Sequence, residues 1–460
     1  MIPSPTAGGA LPLQNKKYSS VQALYRFSTE YHERSRRVLE TALKGLSAYR
    51  AWRGSDPGPR HAIDARYAAL PALTKKDIRD HFPDGFVPPG KDVKQGLESG
   101  EIEFVMTSGT SDVSVTNIWN QKWWDASERS SWNLNSHATS LANGVPLEAI
   151  LANPLNVGFV SNDADLPMEK RRLARFLYLN EKSDPALWTP ALMDRMSDEL
   201  AEFRPAILEA NPSLLARLCR YLAGRGKEFF QPELIVFTYE YPSILHYRHI
   251  RRVFASPMAS SYGSTETGYV FMQCEQGKFH QNSDSCRVDF QPLKPRHGGH
   301  KIGRILVTPF DNPWYRIIRF DVGDLVRLDE EGICPCGRNS GILLSAIEGR
   351  MATATLTLTN RLVTLRELDG VIGGISGIDE YALVQTDKEA YDLAIVSEVH
   401  DKSALAGKAE ALLRGLYGDK AKISIRYEDA LSPDSTGKYR LAKADFPLNV
   451  EDFLDENGLP

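Results

Sequence analysis

Between residues 301 and 350 three apolar segments of strand length, KIGRILVTPF, IIRFDVG and GILLSAIEGR, follow one another with glycine and proline as punctuation. Segments this short and rich in Ile and Val bury their side chains best on a pleated backbone, so this part of the chain requires a sheet. The upstream half reads differently. Tyr31, Val38, Leu39, Leu43 and Leu46 recur at helical intervals until the breaker-rich GSDPGPR at 54–60, and LPALTKKDIRDHF at 70–82 opens a second helix. A further helix has Asn211 as N-cap, Pro212 in its first turn, Leu214, Leu215, Leu218 and Leu222 on one face, and Gly224 behind it.

The last hundred residues change character again. YALVQTD and YDLAIVSEV alternate around the turn Asp387-Lys388-Glu389, a helix covers about 404–416 and stops at Gly418, and KISIRYED supplies a third strand. This β-β-α-β pattern has its own core, which places a domain boundary near Gly349-Arg350. The expected architecture is α/β: a large N-terminal domain of helix-covered β-sheets plus a small barrel-like part over 1–349, and a small α+β C-terminal lid domain over 350–460.

At 460 residues the chain has length for two to four domains, at roughly 100–200 residues each. A net charge of −4 argues against a nucleic-acid partner or a polybasic membrane anchor. The opening MIPSPTAGGALPLQNKKYSS lacks the charge and apolar pattern of a secretory leader, and no stretch approaches the ~18 apolar residues of a membrane span. A soluble, cytoplasmic protein is expected. Its five cysteines are too few for a disulfide scaffold, so a clustered pair reads as metal-binding or as core.

Four segments carry residues suited to chemistry. Thr107-Ser108-Gly109-Thr110-Ser111 sets hydroxyls around a glycine between two β-rich runs and offers donors to a phosphate; on its own it is equally a polar turn, and no Gly-Lys-Ser/Thr follows. Ser261-Tyr262-Gly263-Ser264-Thr265-Glu266-Thr267 combines a ring that can stack on a base, hydroxyls for a phosphate and a carboxylate for Mg²⁺. Asp324 in RFDVGDL, an acid after an apolar strand, can accept both hydroxyls of a ribose. Gly437-Lys438 in DSTGKYR puts a cation on a flexible tip.

The order and spacing of these segments resemble one family. TSGTS, SYGSTE, VGD, GR and TGK begin at 107, 261, 322, 349 and 436, as in the adenylate-forming acyl ligases. The likeness is closer to the phenylacetate–CoA ligase branch, through LPALTKKDIRDHF at 70–82, NPSLLARL at 211–218 and CPCGR at 334–338. The resemblance implies that ATP and a carboxylic acid form an acyl-adenylate and pyrophosphate, after which coenzyme A, a carrier-protein thiol or an amine takes the acyl group. It implies that Ser108, Gly109, Thr110 and Ser111 contact the ATP phosphates, that Tyr262, with Gly263 and Ser264, lies against adenine, and that Thr265 binds the α-phosphate. Glu266 would hold Mg²⁺, Asp324 and Arg350 would take the ribose, and Lys438 would bridge the carboxylate and the α-phosphate.

Departures from the family pattern bear on the same residues. The phosphate loop continues Ser111-Asp112-Val113-Ser114 where relatives carry Thr-Gly-x-Pro, which puts a carboxylate beside phosphates. The Gly-Gly-Glu of the adenine site reads Thr238-Tyr239-Glu240, so Glu240 alone survives and Tyr239 narrows the pocket. At the hinge Met351-Ala352-Thr353 replaces an acidic pair, and no Arg-Gly follows in LTLTNRLVTL. These changes single out the second half-reaction as the divergent one, and they keep open a rival of another class: a nucleotide-binding subunit without turnover.

Cys274 and His280 in QCEQGKFHQN, with Cys334 and Cys336 in GICPCGR, complete a Cys₃His zinc set if the two segments meet in space. Cys219 and Cys286 read as core. Trp123, Trp124, Trp132, His137, Asn153, Asn156 and Phe159 lie where relatives place the acyl pocket, which suggests an aromatic or small cyclic acid, although aromatics at helical spacing also serve as core.

Overall fold

The computed structural model describes residues 24–107, 114–159, 164–226 and 228–455. Its strands are, in chain order, β1 (Glu103–Met106), β2 (Thr116–Trp119), β3 (Glu148–Leu151), β4 (Arg172–Leu173), β5 (Phe176–Tyr178), β6 (Ile207–Ala210) and β7 (Leu234–Phe237). Then come β8 (Met258–Ser264), β9 (Gly268–Gln273), β10 (Phe279–Gln281), β11 (Cys286–Pro292), β12 (Ile302–Pro309), β13 (Phe320–Leu328) and β14 (Leu343–Arg350). The remainder are β15 (Thr355–Leu356), β16 (Leu362–Val363), β17 (Glu380–Asp387), β18 (Ala390–Val396), β19 (Lys422–Tyr427) and β20 (Ala442–Ala444).

One twelve-stranded sheet crosses the body of the molecule in the order β11-β12-β13-β14-β10-β9-β8-β7-β6-β3-β5-β4. From β8 to β5 neighbouring strands are parallel, and from β8 to β11 they are antiparallel. β3 and β7 are buried along their whole length because helices cover both faces of the parallel half. Leu208, Ile235 and Phe237 pack against the helices Pro190–Phe203 and Pro212–Ala223. Ile207, Leu234 and Val236 face Trp132 and Ala138 of the helices Gln121–Trp132 and Ser136–Ala142.

Local chemistry sets the helix starts. Asn211 accepts hydrogen bonds from the backbone N–H groups of Ser213 and Leu214, with Pro212 in the first turn. Thr74 and Asp77 form a reciprocal capping box that opens Lys75–His81. The helix Thr29–Gly45 buries Tyr31, Val38, Leu39 and Leu43, as its spacing predicts.

The C-terminal unit is a four-stranded sheet in the order β19-β18-β17-β20, with the helix Lys402–Tyr417 burying Leu405, Ala409, Leu413 and Tyr417 against Tyr381, Leu383, Tyr391 and Leu393. The expected β-β-α-β order is present. β20, parallel to β17, was not expected, because three residues reading Ala-Lys-Ala give neither alternation nor strand propensity. Asp324 also sits differently: it lies inside β13, opposite Arg350, since the apolar run resumes at Leu325 after a left-handed Gly323 with φ +82. No helix of the described residues is long and apolar enough to cross a membrane.

Candidate functional site

Between the sheet and the C-terminal unit, side chains from several distant segments come together. Asp324 of β13 is their centre. One of its carboxylate oxygens accepts the Tyr262 hydroxyl at 2.8 Å, and the other accepts Arg350 Nε at 3.2 Å across the β13–β14 pair. Burial, and then the Asp324 charge, raise the Tyr262 phenol well above its ordinary pKa, so it stays a donor. Tyr262 is carried by β8, which ends in a turn where a Cβ on Gly263 would lie 2.3 Å from the Gly268 carbonyl oxygen, so only glycine lets β8 and β9 approach this closely. Beyond that turn the Ser264 and Thr267 hydroxyls pair at 3.0 Å, Thr265 is half-buried and Glu266 is buried.

From the other side the 434–440 turn of the C-terminal unit reaches in. Asp434 holds the turn by accepting from Thr436 and from Arg440 Nε. The Tyr439 backbone N–H donates to Glu240 at 2.8 Å, and the other Glu240 oxygen accepts the Ser213 hydroxyl at 2.5 Å. Gly437, with φ +76, lies so close to Asn153 that a Cβ would meet its side chain at 2.5 Å. Lys438 is pushed below the ordinary lysine value, first by burial and then by the Arg350 charge, while Glu240 and Asp324 act in the opposite sense. It therefore shares one electrostatic environment with Arg350, Glu240 and Asp324.

Two further residues belong to this environment without having been singled out in the sequence. Lys75, at the start of the Lys75–His81 helix, is depressed mainly by burial and supported by the charges of Glu266 and Asp324, and no spacing signal distinguishes it from Lys76. Ser213, in the first turn of Pro212–Ala223, holds Glu240; the sequence marked it only as part of the NPSLLARL segment, with no role of its own.

Tyr239, with φ +72, turns away from Glu240, and its hydroxyl donates to Glu209. Glu209 belongs to a buried acidic group on the sheet face covered by Gln121–Trp132: Arg175 pairs with Glu148 at 3.0 Å and Tyr269 donates to Glu128 at 2.9 Å. Burial and the nearby Glu209 push the Glu128 carboxyl up to about 7. Trp124 packs between Trp119 and Tyr269 beside this group, and Phe159 stacks on Tyr178. Trp132 is core, Trp123 donates to the Phe310 carbonyl, and His137 is exposed. Asn153 caps Pro154–Val157, and the Asn156 amide is buried without a hydrogen-bond partner among the described residues. Ser108, Gly109, Thr110 and Ser111 lie outside the described residues.

Far from this cleft, Cys274, His280, Cys334 and Cys336 come together, with their ligand atoms all within 4.8 Å of one another. Burial holds the His280 imidazole down to about 4, hence neutral. Cys219 and Cys286 are fully buried core residues.

No family model matches the chain, and no curated protein matches its sequence. Solved structures do match in fold. 2-Hydroxyisobutyryl-CoA ligase in the postadenylation state, in complex with 2-HIB-AMP, superposes with a TM-score of 0.67 at 17% identity over 95% of this chain and 94% of that one. An open conformation of that ligase with 2-HIB-AMP and CoA gives 0.54 at 16% identity, over 95% of this chain and 96% of that one. Its thioesterification state gives 0.52 at 18% identity, over 95% and 94%.

Proposed function

We propose that this chain, which shares the two-domain fold of an acyl-CoA ligase, activates a carboxylic acid with ATP. The acid's carboxylate oxygen attacks the α-phosphorus, pyrophosphate leaves, and the acyl-adenylate then yields its acyl group to an acceptor with release of AMP. The observation that carries this reading is the convergence of Lys438, from the C-terminal unit, with Asp324, Arg350 and Glu240 of the cleft. A half-buried cation beside groups suited to a ribose would supply charge where the transition state develops it.

Within this reading Asp324 accepts the ribose hydroxyls, with Tyr262 and Arg350 fixing its two oxygens. Glu240 lies at the base site, and Thr265 and Ser108 to Ser111 serve the phosphates. Glu266, a buried carboxylate beside the phosphate position, has the donor chemistry that Mg²⁺ takes, and the ion would neutralise phosphate charge there. The higher TM-score against the postadenylation state than against the thioesterification state supports a C-terminal unit seated for the first half-reaction. The phenylacetate–CoA ligase-like segments support an aromatic or small cyclic acid, and coenzyme A is the favoured acceptor, with a carrier protein or an amine as the alternative. Pyrophosphate exchange across a panel of carboxylic acids tests the reading: acid-dependent exchange is expected, and its absence across the panel returns the chain to a nucleotide-binding subunit without turnover.

A further inference from the structure

We infer that Cys274, His280, Cys334 and Cys336 hold one zinc ion in a closed, structural site. A tetrahedral ion with Zn–S near 2.3 Å and Zn–N near 2.0–2.1 Å separates two sulfurs by about 3.8 Å and a sulfur and a nitrogen by about 3.6 Å. The Cys274 and Cys334 sulfurs lie 3.7 Å apart, and Cys336 Sγ lies 3.3 Å from His280 Nε2. These two pairs are at the spacing of a coordination shell, and all four donors lie within 4.8 Å of one another. Three of the four residues are buried, and with four protein ligands no position is left open for a substrate.

The backbone around the thiols supports the same assignment. Cys274-Glu275-Gln276-Gly277 and Cys334-Pro335-Cys336-Gly337 form matching turns. In each, the N–H of the glycine donates to the carbonyl of the first cysteine, at 2.9 and 3.0 Å, and the glycine takes a left-handed φ of +79 or +83. The Gln276 N–H points at Cys274 Sγ at 3.4 Å, a hydrogen bond of the kind a zinc-bound sulfur accepts. Three thiolates around Zn²⁺ leave one net negative charge, and the Arg338 guanidinium, two residues beyond Cys336 and anchored on Glu275 at 3.0 Å, supplies a neighbouring positive charge.

The site joins the end of β9 and β10 to the connection between β13 and β14, four strands that lie side by side in the sheet. Asp324 and Arg350 lie toward the opposite end of β13 and β14, about 20 Å along the strand at ~3.3 Å per residue from Leu343 to Arg350. The ion acts as a staple that fixes strand register and takes no part in acyl transfer.

The test is elemental analysis of tag-free, full-length protein never exposed to chelator. About one zinc per chain is expected, because closed four-ligand sites keep their metal through purification. The Cys334→Ser/Cys336→Ser variant should carry none. Because that variant can fail to fold, cobalt-substituted wild-type protein gives a second readout, with the absorption of tetrahedral cobalt and thiolate-to-cobalt charge transfer expected. Folded protein without metal, an octahedral cobalt spectrum, a Cys274–Cys334 disulfide in the isolated protein, or zinc retained by the double variant would overturn the assignment.

Discussion

Where residues 446–455 return to the body the contact is apolar, and where the 434–440 turn meets it polar bonds are added to the packing of Tyr439 against the body's core. At the first place Leu293, Ile302 and Leu325 of the body share one cluster with Met351, Leu356, Leu362, Phe453 and Leu454, and backbone bonds join Lys294 to Phe453 and Asp455 to Pro292. At the second, Glu240 accepts one backbone N–H and a glycine rests on Asn153. Separating the apolar contact costs roughly 25 cal/mol for each Å² wetted, whereas a polar contact exchanges with water for about 1 kcal/mol net. The difference makes the first contact an anchor and the second a latch.

The sharpest way to break this comparison is at the latch's cation. Lys438→Ala should lower acid-dependent pyrophosphate exchange by about 10²–10³-fold, the range for one preorganised electrostatic group, with ATP affinity by calorimetry nearly unchanged. Full exchange in that variant would remove Lys438 from the chemistry. Gly437→Ala tests the seat itself. A side chain at φ +76 is strained by about 1–3 kcal/mol, so exchange should fall about tenfold, and Asn153→Ala in the same chain should recover only the part due to the clash.

A smaller effect is expected away from the latch. Arg248 of the helix Ile244–Ile250 donates to the carbonyls of Gly373, Ile375 and Ile378, while Arg220–Glu380 and the Ile244 N–H on Asp369 hold the same seam. Arg248→Ala should therefore slow exchange only about twofold to fivefold, or 0.5–1 kcal/mol, and raise the rate of proteolysis at 350–353. A variant as damaged as Lys438→Ala would show that this seam, and not the 434–440 turn, is the latch.

The smallest effect concerns pH. His246, beside the seam, is held down to about 3, first by burial and then by the neighbouring His249 charge; its Nδ1 accepts the Ser243 N–H. The unfolded chain binds this proton near 6.5 and the folded chain does not, so its contribution to stability is complete above pH 6.5 and is lost as pH falls toward 3. Melting temperature should decline on that side, and His246→Gln should flatten the slope between pH 6.5 and 4 while leaving none of its effect to appear above pH 7.

Much of the scaffold was readable from local rules, because the cap at Asn211, the capping box at Thr74 and Asp77 and the alternation in β17 and β18 each lie within a few residues. The cleft was readable only as separate loops. What joins them acts across long sequence separations: the Tyr439–Glu240 bond spans 199 positions and the Tyr262–Asp324 bond spans 62. Arg248 left no signature, and Lys75 and Ser213 stood only as members of the LPALTKKDIRDHF and NPSLLARL segments, since a serine in a first turn or a basic residue on a helix is ordinary until its partner is known. Asp324 was placed after a strand because an acid in an apolar run looks like its end; only the pairing with Arg350 shows the strand continuing.

One strand has a consequence for how the molecule comes apart. β8 pairs through Met258–Ser260 with β7 of the parallel half and through Ser261–Ser264 with β9 of the antiparallel half, so one continuous strand ties the two halves together. Partial unfolding confined to either half would leave a row of buried amides unpaired. The body should therefore behave as a single cooperative unit in calorimetry, and amides of β8 should exchange with deuterium only as slowly as global opening allows.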